Sequence, residues 1–132
     1  MAVVVKKLVN ILPNDAAITV ELEFDTLLLC TYKIQVREKN SNQVIFSKSG
    51  DNSNDEEDKY VIGIAKKSDG KTVWIFFTVI DQTGEGGKYE VRALFKQNGK
   101  LIDDGILSSG IRSIAPGENL QSGALVAILK TI

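Results

Sequence analysis

Apolar and polar residues alternate along most of the chain, which is the pattern of a β-strand with one buried and one solvated face. The clearest example is residues 18–24, where every second residue from Ile18 is apolar and the residues between are Thr or Glu. Residues 30–37 repeat the alternation from Cys30 onward. We therefore predict a strand in each segment, with Ile18 and Cys30 on the sides that face the core.

The dipeptide Asp69-Gly70 lies between two largely apolar segments, residues 59–66 and 71–81. Asp-Gly is a common two-residue turn of a β-hairpin because the type I′ turn needs a positive φ at both positions. The sequence therefore predicts that these two segments pair with each other as a hairpin.

A second hairpin signal, Asn98-Gly99, precedes the adjacent acids Asp103 and Asp104. Regular pairing across this turn would place Asp104 on the apolar face, where a lone carboxylate is costly to bury. We expect a β-bulge at Gly105 that turns both acids outward, because glycine within a strand often marks such a bulge.

No segment has the periodicity of an amphipathic helix, and turn signals recur about every ten residues, which is typical of sandwiches and barrels. We expect residues 1–132 to form a single all-β domain. The predicted fold is an antiparallel two-sheet β-sandwich, immunoglobulin-like or jelly-roll, with about eight or nine strands and no substantial helix.

Three segments are largely apolar at consecutive positions: residues 3–5, 73–80 and 124–129. A two-layer sandwich covers only one side of each strand, so the other side of such a strand needs a further layer or a partner. The hairpin expected at Asp69-Gly70 would place Trp74 on the side away from the core. The residues predicted to form an interface on these outer strand faces are Trp74, Phe76, Val61, Leu125 and Leu129.

The composition excludes many kinds of catalytic site. The chain has no histidine, which is the usual general base and a common metal ligand. Its one cysteine, Cys30, is expected to be a buried and inert thiol. No P-loop, dinucleotide-binding or zinc motif is present. We therefore expect no catalytic residues and no cofactor-binding residues, and expect that the protein is not an enzyme.

The acidic segment 51–58 is the candidate site for a small ligand, because calcium prefers oxygen ligands. The spacing does not fit an EF-hand loop, since Glu56 stands where that loop requires glycine and Ile62 where it requires glutamate. We favour a solvated loop, with calcium binding as the alternative. The predicted calcium ligands are Asp51, Asp55, Glu57 and Asp58.

Charge and hydropathy limit the partners. Lys and Arg total 16 against 17 Asp and Glu, a net charge of −1, so no basic surplus is available for nucleic acid or for an anionic membrane. No stretch approaches the ~20 apolar residues of a membrane span, and residues 1–7 lack the order of a secretion signal. We expect a cytoplasmic location, and a virion component is a further candidate.

These observations predict a non-catalytic protein-interaction or assembly module. We expect a homo-oligomer that uses its apolar outer strand faces to bind copies of itself or another protein. The alternative is a carbohydrate- or calcium-dependent ligand-binding β-sandwich module, in which exposed aromatic rings would stack on a sugar.

Overall fold

The computed structural model describes residues 3–53 and 58–132. The prediction of an all-β, two-sheet sandwich is confirmed, with ten strands where eight or nine were expected. In chain order the strands are β1 (Val3–Ile11), β2 (Ala17–Thr26), β3 (Leu29–Arg37), β4 (Val44–Asp51), β5 (Lys59–Ile64), β6 (Thr72–Ile80), β7 (Gly87–Gln97), β8 (Lys100–Ser108), β9 (Arg112–Ile114) and β10 (Leu120–Thr131). A short 3-10 turn covers Ala65–Lys67. None of the described residues belongs to a helix long and apolar enough to cross a membrane.

The strands divide into two sheets. The first sheet has the order β1-β10-β6-β3-β4, and the second has the order β5-β2-β7-β8, with β9 beside β7. Neighbouring strands are antiparallel except β1 and β10, which run parallel. The links that carry the chain from one sheet to the other are β1–β2, β2–β3, β4–β5, β5–β6, β6–β7 and β9–β10.

The core lies between the sheets and is built from alternate residues of each strand, as the period-two pattern predicts. In β3, Cys30 and the alternate residues after it are buried, and in β2 the same holds from Ile18 to Leu22. Phe77 of the first sheet packs edge to face on Tyr89 of the second, with ring centroids 6.3 Å apart. Burial of each large apolar side chain contributes roughly 1.5–3 kcal/mol.

The hairpin predicted at Asn98-Gly99 is confirmed. Both residues have a positive φ, 53° and 78°, and the turn joins β7 to β8. The predicted bulge is also present, because the pairing of β7 with β8 shifts between Leu94 and Lys96. Asp103 is exposed, while Asp104 accepts hydrogen bonds from Asn10 of β1 at 2.9 and 3.2 Å and so links the two sheets along one side.

The hairpin predicted at Asp69-Gly70 is wrong. β5 pairs with β2 in the second sheet, whereas β6 lies between β3 and β10 in the first. The 3-10 turn and the Asp69-Gly70 turn together carry the chain from one sheet to the other. Gly70 N–H donates to the carbonyl of Leu129 at 2.7 Å, and Thr131 N–H donates to Asp69 at 2.9 Å, so the turn is anchored on β10.

Candidate interaction surface

The first sheet turns one side to the core and one side outward, and the outward side is the candidate surface. We call it the outer face of the first sheet. Because β10 pairs in register with both β1 and β6, outward residues of these strands lie side by side across the sheet. Its central residues are Val4, Lys6 and Leu8 of β1, Ala124, Val126 and Ile128 of β10, Trp74 and Phe76 of β6, and Lys33, Gln35 and Arg37 of β3.

Two rows of this register form an apolar centre. One row places Val126 between Lys6 and Trp74, and the next places Ala124 between Val4 and Phe76. Val126 is only 1% exposed although it lies outside the core, since the side chains of its neighbours are long enough to cover it. Val4 at the edge is 63% exposed. The apolar surface therefore continues from β6 to the edge strand without interruption by an acidic residue.

The most ordered part of the surface is a cluster of Trp74, Phe76 and Arg37. The two rings are nearly parallel, with an interplanar angle of 17° and centroids 5.8 Å apart. The guanidinium carbon of Arg37 lies 4.3 Å from the Trp74 centroid and 5.8 Å from that of Phe76, so one cation covers both rings. Such a contact stabilises an exposed site by about 0.5–1 kcal/mol.

Two polar neighbours hold this cluster in place. Gln35 Oε1 accepts hydrogen bonds from Nε and Nη2 of Arg37 at 3.3 and 3.0 Å. Trp74 Nε1 donates to Thr72 Oγ1 at 3.0 Å. These bonds satisfy the polar atom of the indole and fix the guanidinium plane, while other N–H groups of Arg37 stay available to a partner. Among the described residues, Arg37 has no ion-pair partner.

The structure brings together only some of the residues predicted for the interface. Trp74 and Phe76 lie on the outer face as half-buried neighbours. Leu125 and Leu129 do not, because strand β10 directs its odd-numbered residues inward, and these two are 0% and 1% exposed. Val61 is 60% exposed, but it lies on β5 and pairs with Thr19 of the second sheet. Leu125 and Leu129 therefore belong to the core, and Val61 lies on the other sheet from Trp74.

Sequence reasoning missed Arg37, Val126 and Val4. A signal for Arg37 was present, because Cys30 faces inward and strand alternation then places residue 37 outward. The consecutive apolar residues of 124–129 offer no such signal, since both of their faces are apolar. Only the register with Lys6 and Trp74 identifies Val126 as an outward residue.

The predicted calcium ligands are only partly described. Asp55 and Glu57 lie outside the described residues. Asp51 accepts two hydrogen bonds from Ser53, from the backbone N–H at 2.9 Å and from the hydroxyl at 2.6 Å, and these bonds lower the pKa of its carboxyl. Asp58 accepts a hydrogen bond from the Tyr32 hydroxyl at 2.6 Å. In the part of the chain that is described, no three His, Cys, Asp or Glu side chains come close enough to hold a metal ion.

Asp58 belongs to a cluster between the sheets that also contains Tyr32 and Tyr60. The two phenol oxygens lie 2.5 Å apart, and burial raises the pKa of Tyr32, with a further contribution from its hydrogen bonds to Asp58 and Tyr60. Burial, and secondarily the charge of Asp58, raises the pKa of the Cys30 thiol to about 12. The prediction that Cys30 is buried is confirmed. A protonated, buried thiol is a poor nucleophile at neutral pH.

The outer face of the second sheet has a different composition. Glu21 of β2 lies 2.9 Å from Lys96 of β7 and 3.2 Å from Lys59 of β5. Glu23 lies 2.8 Å from Arg92. These charged groups pair with one another within the chain, while Arg92 Nε has no hydrogen-bond partner among the described residues and Val61, Leu101 and Ile106 are exposed on the same face.

The chain thus has one apolar, aromatic and cationic surface and one surface on which ion pairs within the chain lie beside exposed aliphatic residues. The first combines a Trp, a Phe and an Arg, and Trp and Arg are residue types enriched among the energetically dominant residues of protein interfaces. Comparison of the chain with protein-family models, with curated proteins and with solved structures finds no significant match.

Proposed function

We propose that this chain is a non-catalytic assembly module that self-associates through the outer face of the first sheet. The observation that carries the proposal is the cluster of Trp74, Phe76 and Arg37 at the centre of a continuous apolar surface. A sheet face of this composition is normally covered by a further layer or by a partner. Arg37 supports the proposal because it offers hydrogen-bond donors beside the rings.

The position of the tryptophan adds to the argument. Residues whose removal costs most in protein interfaces are often Trp or Arg, and they lie near the centre of the contact with apolar residues around them. Trp74 lies between Val126 and Gln35 in the register, two strands from the edge strand β1. Its truncation is expected to weaken association by ~2 kcal/mol or more, which is the usual threshold for a dominant interface residue.

Carbohydrate binding is the weaker alternative. A sugar binds an aromatic residue by stacking on an open ring face, but the guanidinium of Arg37 lies over both Trp74 and Phe76. Sugar binding would require Arg37 to leave this position. In a calcium-dependent form of that function, Asp51 and Asp58 would bind the ion through Oδ2, because Oδ1 of each accepts the hydrogen bonds from Ser53 and Tyr32.

The test is the molar mass of the chain in solution over a range of concentrations, for the wild type and for Trp74→Ala. We expect a wild-type multimer and a folded Trp74→Ala variant of lower mass. The matched control is Leu94→Ala, because Leu94 is an outward, half-buried residue of β7 on the other sheet. This control is expected to keep the wild-type mass.

Trp74 is the only tryptophan of the chain, so its fluorescence reports on this surface alone. We expect the emission to shift to shorter wavelength as the concentration rises and the indole loses water contact. A wild type that stays monomeric into the millimolar range would overturn the proposal. A Leu94→Ala variant that dissociates as readily as Trp74→Ala would also overturn it.

A further inference from the structure

We propose that the copies associate head to tail. In this arrangement the outer face of the first sheet of one copy binds an acidic end of the sandwich of the next copy. This inference rests on the proposed self-association and assigns the surface that the second copy contributes. It follows from the complementarity of two different surfaces of the chain in both apolar character and charge.

The receiving surface is cationic as well as apolar. The outward positions of β1, β10, β6, β3 and β4 carry a single carboxylate, that of Asp51, at one corner. Against it they carry four cations, which are Lys6, Lys33, Arg37 and Lys130. None of these four has an ion-pair partner among the described residues. A partner that brings carboxylates would therefore pair with cations for which the described part of the chain provides no ion-pair partner.

The second surface lies at the end of the sandwich where β2, β6 and β8 finish. We call it the acidic end, and it consists of the connecting loops 27–28, 81–86, 109–111 and 115–119. These loops contain no Lys or Arg and carry Asp81, Glu85 and Glu118. Asp81 is saturated by the N–H groups of its own loop, including that of Gly86 at 2.8 Å, and so fixes the loop that presents Glu85.

The acidic end is also apolar at its tip. The side chain of Leu27 is fully exposed and that of Ile111 is 75% exposed. Both line one open groove of about 590 Å³, whose charged lining residues are Asp25, Lys88 and Glu90. Two exposed aliphatic side chains with an excess of carboxylates around them match a surface whose apolar centre has ammonium and guanidinium groups around it. This complementarity identifies the acidic end of a second copy as the occupant.

A symmetric, face-to-face dimer is the competing arrangement, and its electrostatics are unfavourable. A face-to-face dimer would bring Lys6, Lys33 and Arg37 of both copies into one interface, with Asp51 the single carboxylate that each outer face supplies. Like charges placed against each other across an interface are strongly unfavourable. A head-to-tail contact joins two different surfaces, so a pair of copies still has one free outer face and one free acidic end. The assembly therefore continues into a ring or a filament.

The test uses one variant that lacks a functional face, Trp74→Ala, and one that lacks a functional end, Leu27→Ser with Ile111→Ser. The second pair of changes removes only exposed side chains, so the fold should be retained. If head-to-tail contact is correct, each variant alone is a monomer. An equimolar mixture forms a heterodimer and nothing larger, because it combines one intact face with one intact end.

The effect of salt provides an independent readout on the wild type. Attraction between the cationic face and the acidic end predicts that added sodium chloride dissociates the multimer, since salt screens opposite charges. A face-to-face dimer predicts the reverse, because salt screens its internal repulsion. If the serine variant fails to fold, Glu85→Lys with Glu118→Lys takes its place in the test. This variant is expected to weaken association, because it reverses the charge of the acidic end.

The outcomes separate this inference from the proposed function. A wild type that is monomeric at all concentrations overturns both. A multimer whose mass is unchanged by Leu27→Ser with Ile111→Ser overturns the head-to-tail arrangement alone and leaves association through the outer face standing. A mixture of the two monomeric variants that forms no heterodimer also overturns the head-to-tail arrangement.

Discussion

The outward sides of the two sheets differ although their inward sides are alike. On the second sheet, β2 and β7 place Glu21 opposite Leu94 and Glu23 opposite Arg92, and the charged residues pair across the strands. On the first sheet, the central strands β6 and β10 place Trp74 opposite Val126. The second sheet therefore pairs outward charges across its strands, while the first sheet carries aromatic rings and cations that have no ion-pair partner among residues 3–53 and 58–132.

This difference shows that strand alternation and surface chemistry are separate properties. Both sheets obey the period-two rule that buries one side of each strand. The rule leaves the chemistry of the other side unconstrained, and solvent normally favours polar residues there. A sheet whose outward side is apolar at its centre departs from that preference, and we take this departure as the signature of a contact surface.

The largest effect is expected from truncating a side chain on the inward side of β10, compared with its neighbour on the outward side. Leu125→Ala removes a fully buried side chain from the core and should lower the free energy of unfolding by about 2–5 kcal/mol. Its neighbour Val126 points outward, and Val126→Ala should cost about 1.5 kcal/mol or less because it removes only two methyl groups.

Chemical denaturation of the two variants measures this difference directly. Molar mass should show the opposite order, because Val126→Ala removes support beneath the neighbouring Lys6 and Trp74 side chains and so weakens association, whereas Leu125→Ala acts through the fold alone. If Val126→Ala were the more destabilising change, the inward and outward sides of β10 would be inverted, and the comparison of the two outer faces would fail.

The sequence predicts most of the fold because alternation is a local property. In β2 and β3, one polar residue in every two identifies the buried side, and Ile18 and Cys30 are inside as expected. In 124–129 every residue is apolar, so alternation alone cannot separate Leu125 from Val126. The polar residues Lys6 of β1 and Gln35 of β3 lie in the same row of the sheet as Val126 and show that this row faces outward. Their positions depend on pairings between distant parts of the chain.

The turn at Asp69-Gly70 shows a second limit of sequence reasoning. The dipeptide does adopt a turn, with a φ of 79° at Gly70, but the strands on its two sides belong to different sheets. Turn chemistry reports the local backbone conformation and not which strand pairs with which. The prediction that Trp74 lies on the side away from the core does not depend on the hairpin, because alternation within β6 places Trp74 and the buried Val73 on opposite sides.

An intermediate effect is expected on the ion-paired face. The hydrogen-bonded ammonium of Lys96, with a smaller contribution from Lys59, lowers the pKa of Glu21, and partial burial opposes this. A carboxyl whose pKa is lower in the folded state stabilises the fold above its unfolded pKa, and this contribution is lost as the pH falls through the folded pKa. Glu21→Gln should therefore lower the free energy of unfolding by about 0.5–1 kcal/mol at neutral pH.

The same variant should lose less stability than the wild type on acidification below the ordinary glutamate pKa of 4.5. Thermal unfolding at several pH values measures both effects. The molar mass should not change, because Glu21 lies on the second sheet. Dissociation of the multimer by Glu21→Gln would contradict the view that this face satisfies its own charges and does not take part in assembly.

The smallest effect is expected from Arg37, and it tests whether the cation covers the aromatic rings in solution. Arg37→Ala exposes the rings of Trp74 and Phe76 and should cost about 0.5–1 kcal/mol of stability at most. Arg37→Lys keeps the charge but loses the planar stacking and the two hydrogen bonds to Gln35, so it should cost only a few tenths of a kcal/mol.

Fluorescence at concentrations low enough for monomers isolates this contact from association. The emission of Trp74 should move to longer wavelength in Arg37→Ala, with Arg37→Lys intermediate, because water replaces the guanidinium on the ring. Arg92→Lys is the matched control, since Arg92 is half-buried on the second sheet and its change should leave the emission unaltered. Identical emission from Arg37→Ala and the wild type would mean that the ring is open in solution, and an open ring would restore sugar stacking as a competitor to assembly.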